Sequence, residues 1–149
     1  MSAPRSIRFD QDVLARLDLF VRENPGTSLS AVANMFVDES LRSHEHTGIV
    51  FRSGPTGRRA GLAGGPDVWE VIGALHAVRG EQPELEGDAL LTELTGVTGL
   101  NAGQISAALR YYSAYAHEID ERIEANRRAA ERAESLWRAE RELLGRRGS

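Results

Sequence analysis

Polar and apolar residues alternate with period two across residues 5–9 (Arg5-Ser6-Ile7-Arg8-Phe9), the pattern of a half-buried β-strand. Asp10 stands where an N-cap belongs, and Val13, Leu17, Phe20 and Val21 then recur along one helical stripe. Asn24-Pro25-Gly26 breaks that helix; Thr27, Ser28 or Ser30 can cap a second one, whose apolar face is Val32, Ala33, Phe36, Val37 and Leu41. Two short apolar runs, 49–52 and 58–62, flank Ser53-Gly54-Pro55-Thr56-Gly57 and predict a β-hairpin. Gly64-Gly65-Pro66-Asp67 opens a helix with Pro66 in its first turn, and Val68, Trp69, Val71, Ile72 and Leu75 make its buried side. After a polar loop over 79–87, Asp88 caps a short helix through Leu94 and the chain turns over 96–100. Asn101 with Gln104 then gives a capping-box start to a helix whose inner face is Ile105, Leu109, Tyr112 and Ala116. No breaker interrupts 117–144, where Ile119, Ile123, Asn126, Ala130, Ala133, Trp137 and Leu144 fall near a heptad seam thin in large aliphatics.

The pattern therefore predicts a mainly α chain in three parts: strand–helix–helix over 1–43, a β-hairpin with helix–turn–helix over 48–117, and a charged helix over 118–149. One strand and two short helices cannot close a core alone, and both strand edges would be left open. Pairing residues 5–9 antiparallel with the same segment of a second copy answers both problems. Ile7 and Phe9 then point into a shared core, while Pro4, Ser6 and Arg8 point the other way. A two-stranded ribbon of this kind fits the major groove of double-stranded DNA, where an arginine can contact guanine through two hydrogen bonds.

Charge and chemistry narrow the classes further. The formal net charge is −4, which argues against a sequence-blind coating of nucleic acid and requires any DNA contact to come from a local patch. All 18 basic residues are arginine. There is no cysteine, which removes disulfides and thiolate chemistry, and His44, His46, His76 and His117 are too scattered to suggest a metal site. The glycine-rich stretch 61–65 lacks the Lys and Ser/Thr of a phosphate loop, and no nucleophile stands beside a base, so no catalytic residue, cofactor or enzyme activity is expected. No apolar run is long enough to cross a bilayer or to act as a signal peptide, so a cytoplasmic, nucleoid-associated protein is expected.

The order Arg5-Ser6-Ile7-Arg8-Phe9, Asp10, helix, glycine-containing turn and Ser28-Leu29-Ser30 resembles the ribbon–helix–helix family of DNA-binding repressors over about a quarter of the chain. That resemblance implies base reading by Ser6 and Arg8, with Pro4 at the margin. It also implies that the backbone N–H groups of Ser28, Leu29 and Ser30 hold a phosphate, for which the helix dipole gives a physical reason. The family is usually more positive here: residues 1–43 hold five Arg against six acids.

Residues 48–71, with the Val68-Trp69-Glu70-Val71 core, and the stretch 100–120 are similar to a small domain of bacterial antitoxins whose partners are PIN-like ribonuclease toxins. Two readings of this domain stay open. It is a second DNA reader, with Gln104 and Arg110 on the recognition helix and Arg52, Arg58 and Arg59 as a basic wing, or it is a packing module that supports dimerisation. Tyr111, Tyr112 and Tyr115 suit core and interface positions better than base stacking.

Residues 118–149 carry eight Arg and eight acidic residues through Glu142, the pattern of a solvated helix awaiting a partner face. The antitoxin resemblance makes that partner a toxin, with Trp137 as apolar anchor and Arg138, Arg141, Arg146 or Arg147 pairing with the carboxylates of its Mg²⁺ site. The sequence thus points to a homodimer or higher even oligomer that represses transcription as an antitoxin. The alternatives are a stand-alone regulator or chromosome-organising protein, and a structural protein whose ribbon only dimerises.

Overall fold

The computed structural model describes residues 3–145; Arg146 and Arg147 lie outside them. The chain divides into two compact units after residue 45, and among the described residues it holds six helices and one two-stranded sheet.

In the first unit, residues 3–10 belong to neither helix nor strand, and Ile7 is 78% exposed. A strand exists only with a hydrogen-bonded neighbour, and one chain provides none here. Helix α1 (Gln11–Glu23) starts after Asp10, whose backbone is extended and whose carbonyl accepts from Leu14 N–H at 2.9 Å, while its side chain makes no cap bond. Asn24 closes α1 by donating its side-chain amide to the Phe20 carbonyl at 2.9 Å. Gly26 follows at φ +92°, a left-handed conformation that a side chain would strain. Of the three candidate caps for helix α2 (Leu29–Glu45), Ser28 serves, its Oγ accepting from Ala31 N–H at 3.1 Å. Leu17 and Val32 are buried between the helices, and Phe20 meets Phe36 edge-on at 5.0 Å. Leu19, Val37 and Leu41 remain about half exposed on the same pair.

In the second unit, β1 (Ile49–Gly54) pairs antiparallel with β2 (Gly57–Leu62) from Ile49↔Leu62 to Gly54↔Gly57, closed by the two-residue loop Pro55-Thr56. Helix α3 (Val68–Glu81) begins one residue after Asp67, not at Pro66. Pro66 stands outside the helix because Asp67 is the N-cap, with Glu70 Oε2 accepting from Asp67 N–H at 2.9 Å. Helix α4 (Gly87–Thr98) also differs from the sequence reading. It is capped by Glu86, places Asp88 in its first turn, and runs four residues past Leu94. Gly99, at φ +71°, ends it in the left-handed conformation common at helix C-termini.

Helix α5 (Ala102–Ala114) opens with the reciprocal Asn101–Gln104 capping box that the sequence predicts. Its buried face holds Ile105, Ala108 and Tyr111, so Tyr111 rather than Tyr112 is the core tyrosine. Helix α6 (Ala116–Gly145) follows after a single residue, Tyr115 at φ −131° and ψ 42°. Neither glycine nor proline marks that break. Two clusters form the core, one around Ile49, Leu62, Ile72 and Tyr111 and one around Leu75, Leu90, Leu94 and Ile105; Leu100 and Leu109 pack against both. The first turns of α6 belong to this unit, since Ile119 is buried in the first cluster and Ile123 packs against it. No helix among the described residues is long and apolar enough to cross a membrane.

Candidate functional site

The sequence places base readers at Pro4, Ser6 and Arg8, and all three are exposed in the segment that leads into α1. Phe9, the last residue of the alternating pattern, is half-buried, whereas Ile7 lies open. At the start of α2, Ser28, Leu29 and Ser30 are exposed together. Ser28 closes the first turn with its hydroxyl and with its carbonyl, which accepts from Val32 N–H at 3.0 Å. First-turn N–H groups of any helix lack intrahelical acceptors, so this end offers donors and a positive dipole to an anion. Further along α2, Arg42 pairs with Asp38 at 3.0 Å.

The hairpin arginines have a different surrounding. Arg52 and Arg59 face each other across the ladder and turn onto one carboxylate, Asp67, whose side chain is only 8% exposed. Arg52 Nη1 donates to Asp67 Oδ1 at 3.0 Å and Arg59 Nε donates to Asp67 Oδ2. Trp69 Nε1 donates to the same Oδ2 at 3.3 Å, and Arg52 Nη2 reaches the carbonyls of Leu62 and, at 2.8 Å, Gly65. Two cations share one buried anion, so the cluster keeps a charge of +1. Removing Asp67 would strand both arginines, a loss of about 3–5 kcal/mol for a buried pair that loses one partner.

Room for this cluster comes from Gly54 and Gly61. A methyl on Gly54 would overlap the Arg59 guanidinium, and one on Gly61 would stand 2.5 Å from Arg52 Nη1. Both strands thus carry the same Arg-x-Gly order, 52–54 and 59–61, and each arginine crosses the ladder to lie over the other strand's glycine. The sequence reading singles out neither Asp67 as an ion partner nor these glycines, although the repeated Arg-x-Gly is the signal that could find them. Arg58, the third arginine of the expected basic wing, donates to Ser53 Oγ at 2.8 Å.

Beside the hairpin, α6 walls a groove of about 850 Å³. The helix passes the hairpin from base to tip: Ile119 packs with Ile49 and Leu62, and Arg122 donates to Thr56 Oγ1 and, at 3.3 Å, to its carbonyl. The groove is mixed in charge, with Glu118 and Glu121 near the base and Arg122 and Arg132 toward and beyond the tip.

On the helix–turn–helix of α4 and α5, Gln104 is committed to the Asn101 cap, while Arg110 is exposed. Tyr111 donates to Glu118 at 2.9 Å and stacks at 4.7 Å on Tyr115, and His46 lies edge-on to both rings. Tyr112 donates to Asp120 at 2.7 Å, and that hydrogen bond holds the phenol above its ordinary pKa. Among the described residues, no three His, Asp or Glu side chains gather as a metal site would need.

Every described residue of α6 from 125 onward is exposed. Trp137 is 56% exposed with Arg141 over its ring at 5.2 Å, and Arg138 pairs with Glu134. Leu136, Leu143 and Leu144 share that open surface. Compared with family models, with curated proteins and with solved structures, the chain matches none of them.

Proposed function

We propose that this chain is a homodimeric, sequence-specific DNA-binding repressor that reads the major groove through an intermolecular ribbon of residues 5–9. The observation that carries this reading is the unfinished first unit: two helices with Leu19, Val37 and Leu41 exposed, preceded by an alternating segment in which Ile7 lies open and which has no strand partner among the described residues of its own chain. A second copy supplies the missing strand and covers these side chains. It also doubles Arg8 and the α2 N-terminus, which offsets an acidic total charge with a local pair of contact sets. In this arrangement Arg8 and Ser6 meet base edges, with Pro4 at the margin. The N–H groups at Ser28, Leu29 and Ser30 anchor a phosphate and set the register.

Asp67 holds Arg52 and Arg59, two of the three arginines of the expected basic wing, which favours a packing role for the second unit over a second reading head. The finer form of the proposal is an antitoxin that represses its own operon and covers a PIN-like ribonuclease with α6, through Trp137, Arg138 and Arg141. Its support is the exposed Trp137 and the resemblance of the second unit. Arg146 and Arg147 would extend that surface; they lie outside the described residues.

Ile7→Asp puts a charge into the shared core and should abolish specific DNA binding, measured by fluorescence anisotropy at fixed salt. Wild-type affinity in that variant would remove the ribbon as the reader.

A further inference from the structure

The exposed part of α6 repeats in charge as well as in apolarity. Asp120, Arg127, Glu134 and Arg141 are spaced seven residues apart, alternate in sign and are all exposed. In the heptad that places Ile123, Ala130, Trp137 and Leu144 at one core position and Asn126, Ala133 and Glu140 at the other, these four charges fill one flank. The opposite flank is Arg122, Ala129, Leu136 and Leu143, apolar beyond its first member, and Leu136, Trp137, Leu143 and Leu144 are each more than half exposed.

We infer that α6 pairs antiparallel with the α6 of a second copy, in the register centred between Glu131 and Arg132. Here Arg127 faces the partner's Glu134 and Arg141 faces the partner's Asp120, so two-fold symmetry makes four complementary contacts. The core layers in this register set Ala130 against the partner's Ala133, Trp137 against the partner's Asn126, and Ile123 against the apolar stem of the partner's Glu140. The small alanines let the helices approach closely, and the Asn126 carbonyl oxygen gives the indole N–H an acceptor. Leu136 rests on the partner's Ala129.

Charge rejects the alternatives. Sliding one heptad in one direction sets Arg127 against the partner's Arg141 and Glu134 against its own twin; a parallel pair sets Arg122 against the partner's Arg127.

The groove beside the hairpin agrees with this register. Its α6 wall spans residues 118–132, and the register lays the partner's residues 131–145 along that same stretch. Arg122, Asn126 and Ala129 belong both to the groove wall and to the seam. The distal half of each α6 would thus seat beside the hairpin of the other copy. This interface does not depend on the ribbon, and a toxin on the Trp137 face would displace it.

Spin labels on the full chain test the pairing, since it has no cysteine of its own. Ser135→Cys and Glu142→Cys both label the outward face. At a 1.5 Å rise per residue the antiparallel register makes the Glu142 pair longer than the Ser135 pair by on the order of 15 Å. Equal separations, which mean a parallel pair, or no defined separation would overturn the inference. Charge exchange is the second arm, read by diluting the labelled chain. Arg127→Glu alone should weaken pairing roughly tenfold, and Arg127→Glu with Glu134→Arg should return to within about threefold of wild type. That double variant worsens the contacts inside each helix. Arg127 leaves Glu124 and Glu131, and the guanidinium introduced at position 134 would face Arg138, so rescue has to come from across the seam. A double variant as weak as the single one would also overturn it.

Discussion

Gly54 and Gly61 each stand two residues after an arginine, and each leaves the space that the opposite strand's arginine fills. Neither has a left-handed backbone, so their requirement is space and not conformation. Gly54→Ala should therefore cost on the order of 1–2 kcal/mol by pushing Arg59 off Asp67, and should cost much less once Arg59 is alanine. Urea denaturation of the two single variants and the double closes that cycle; equal costs in both backgrounds would show that the glycine serves something other than Arg59. At this scale the sequence is least legible. It shows three arginines near a turn, but only the register Arg52↔Arg59 brings two of them onto one carboxylate. A basic wing and an internal ion cluster have the same letters, and they differ by where Asp67 caps α3. Tyr111 and Tyr112 pose the same problem, since one residue on α5 is a turn of about 100° and selects core or surface.

Elements are more legible than single residues because capping and breaking act locally. The Asn101–Gln104 box, the hairpin and the interruption at Asn24-Pro25-Gly26 follow from short-range chemistry that one segment contains by itself. The join between α5 and α6 is different. Tyr115 carries no breaking tendency, and the chain turns there because Tyr111 and Ile119 enter one core, a tertiary cause invisible to local pattern. Within α6, Arg127 bonds to Glu124 and Glu131 along the helix surface, and these contacts hold Glu124 below its ordinary pKa and raise Arg127. A carboxylate whose folded pKa is depressed contributes helix stability above its unfolded value and loses it as pH falls through the folded one. Helicity of the chain, followed by circular dichroism, should therefore drop as pH falls below about 4, and Glu124→Gln should remove part of that drop while lowering helicity at neutral pH. An acid transition unchanged by Glu124→Gln would show these exposed pairs to be without weight.

For the whole molecule, the two units stand in different condition. The second has a closed core of aliphatic and aromatic side chains and an ion cluster whose buried carboxylate is paired from within. Among the described residues, the first buries only Leu17 and Val32 of its apolar side chains and leaves Ile7 open. On the proposed reading a unit of that size would gain its remaining stability from a second chain, which would also supply the neighbour that a strand at residues 5–9 needs. In the proposed function this unit meets DNA through Arg8. The direct test is an electrophoretic mobility shift on the DNA upstream of the chain's own gene, with excess nonspecific competitor, comparing wild type with Arg8→Ala. The account predicts a sequence-specific shift that Arg8→Ala loses while it keeps the wild-type oligomeric state. An equally strong specific shift from Arg8→Ala, or no specific shift from wild type at low salt with and without a co-purified partner, would contradict it.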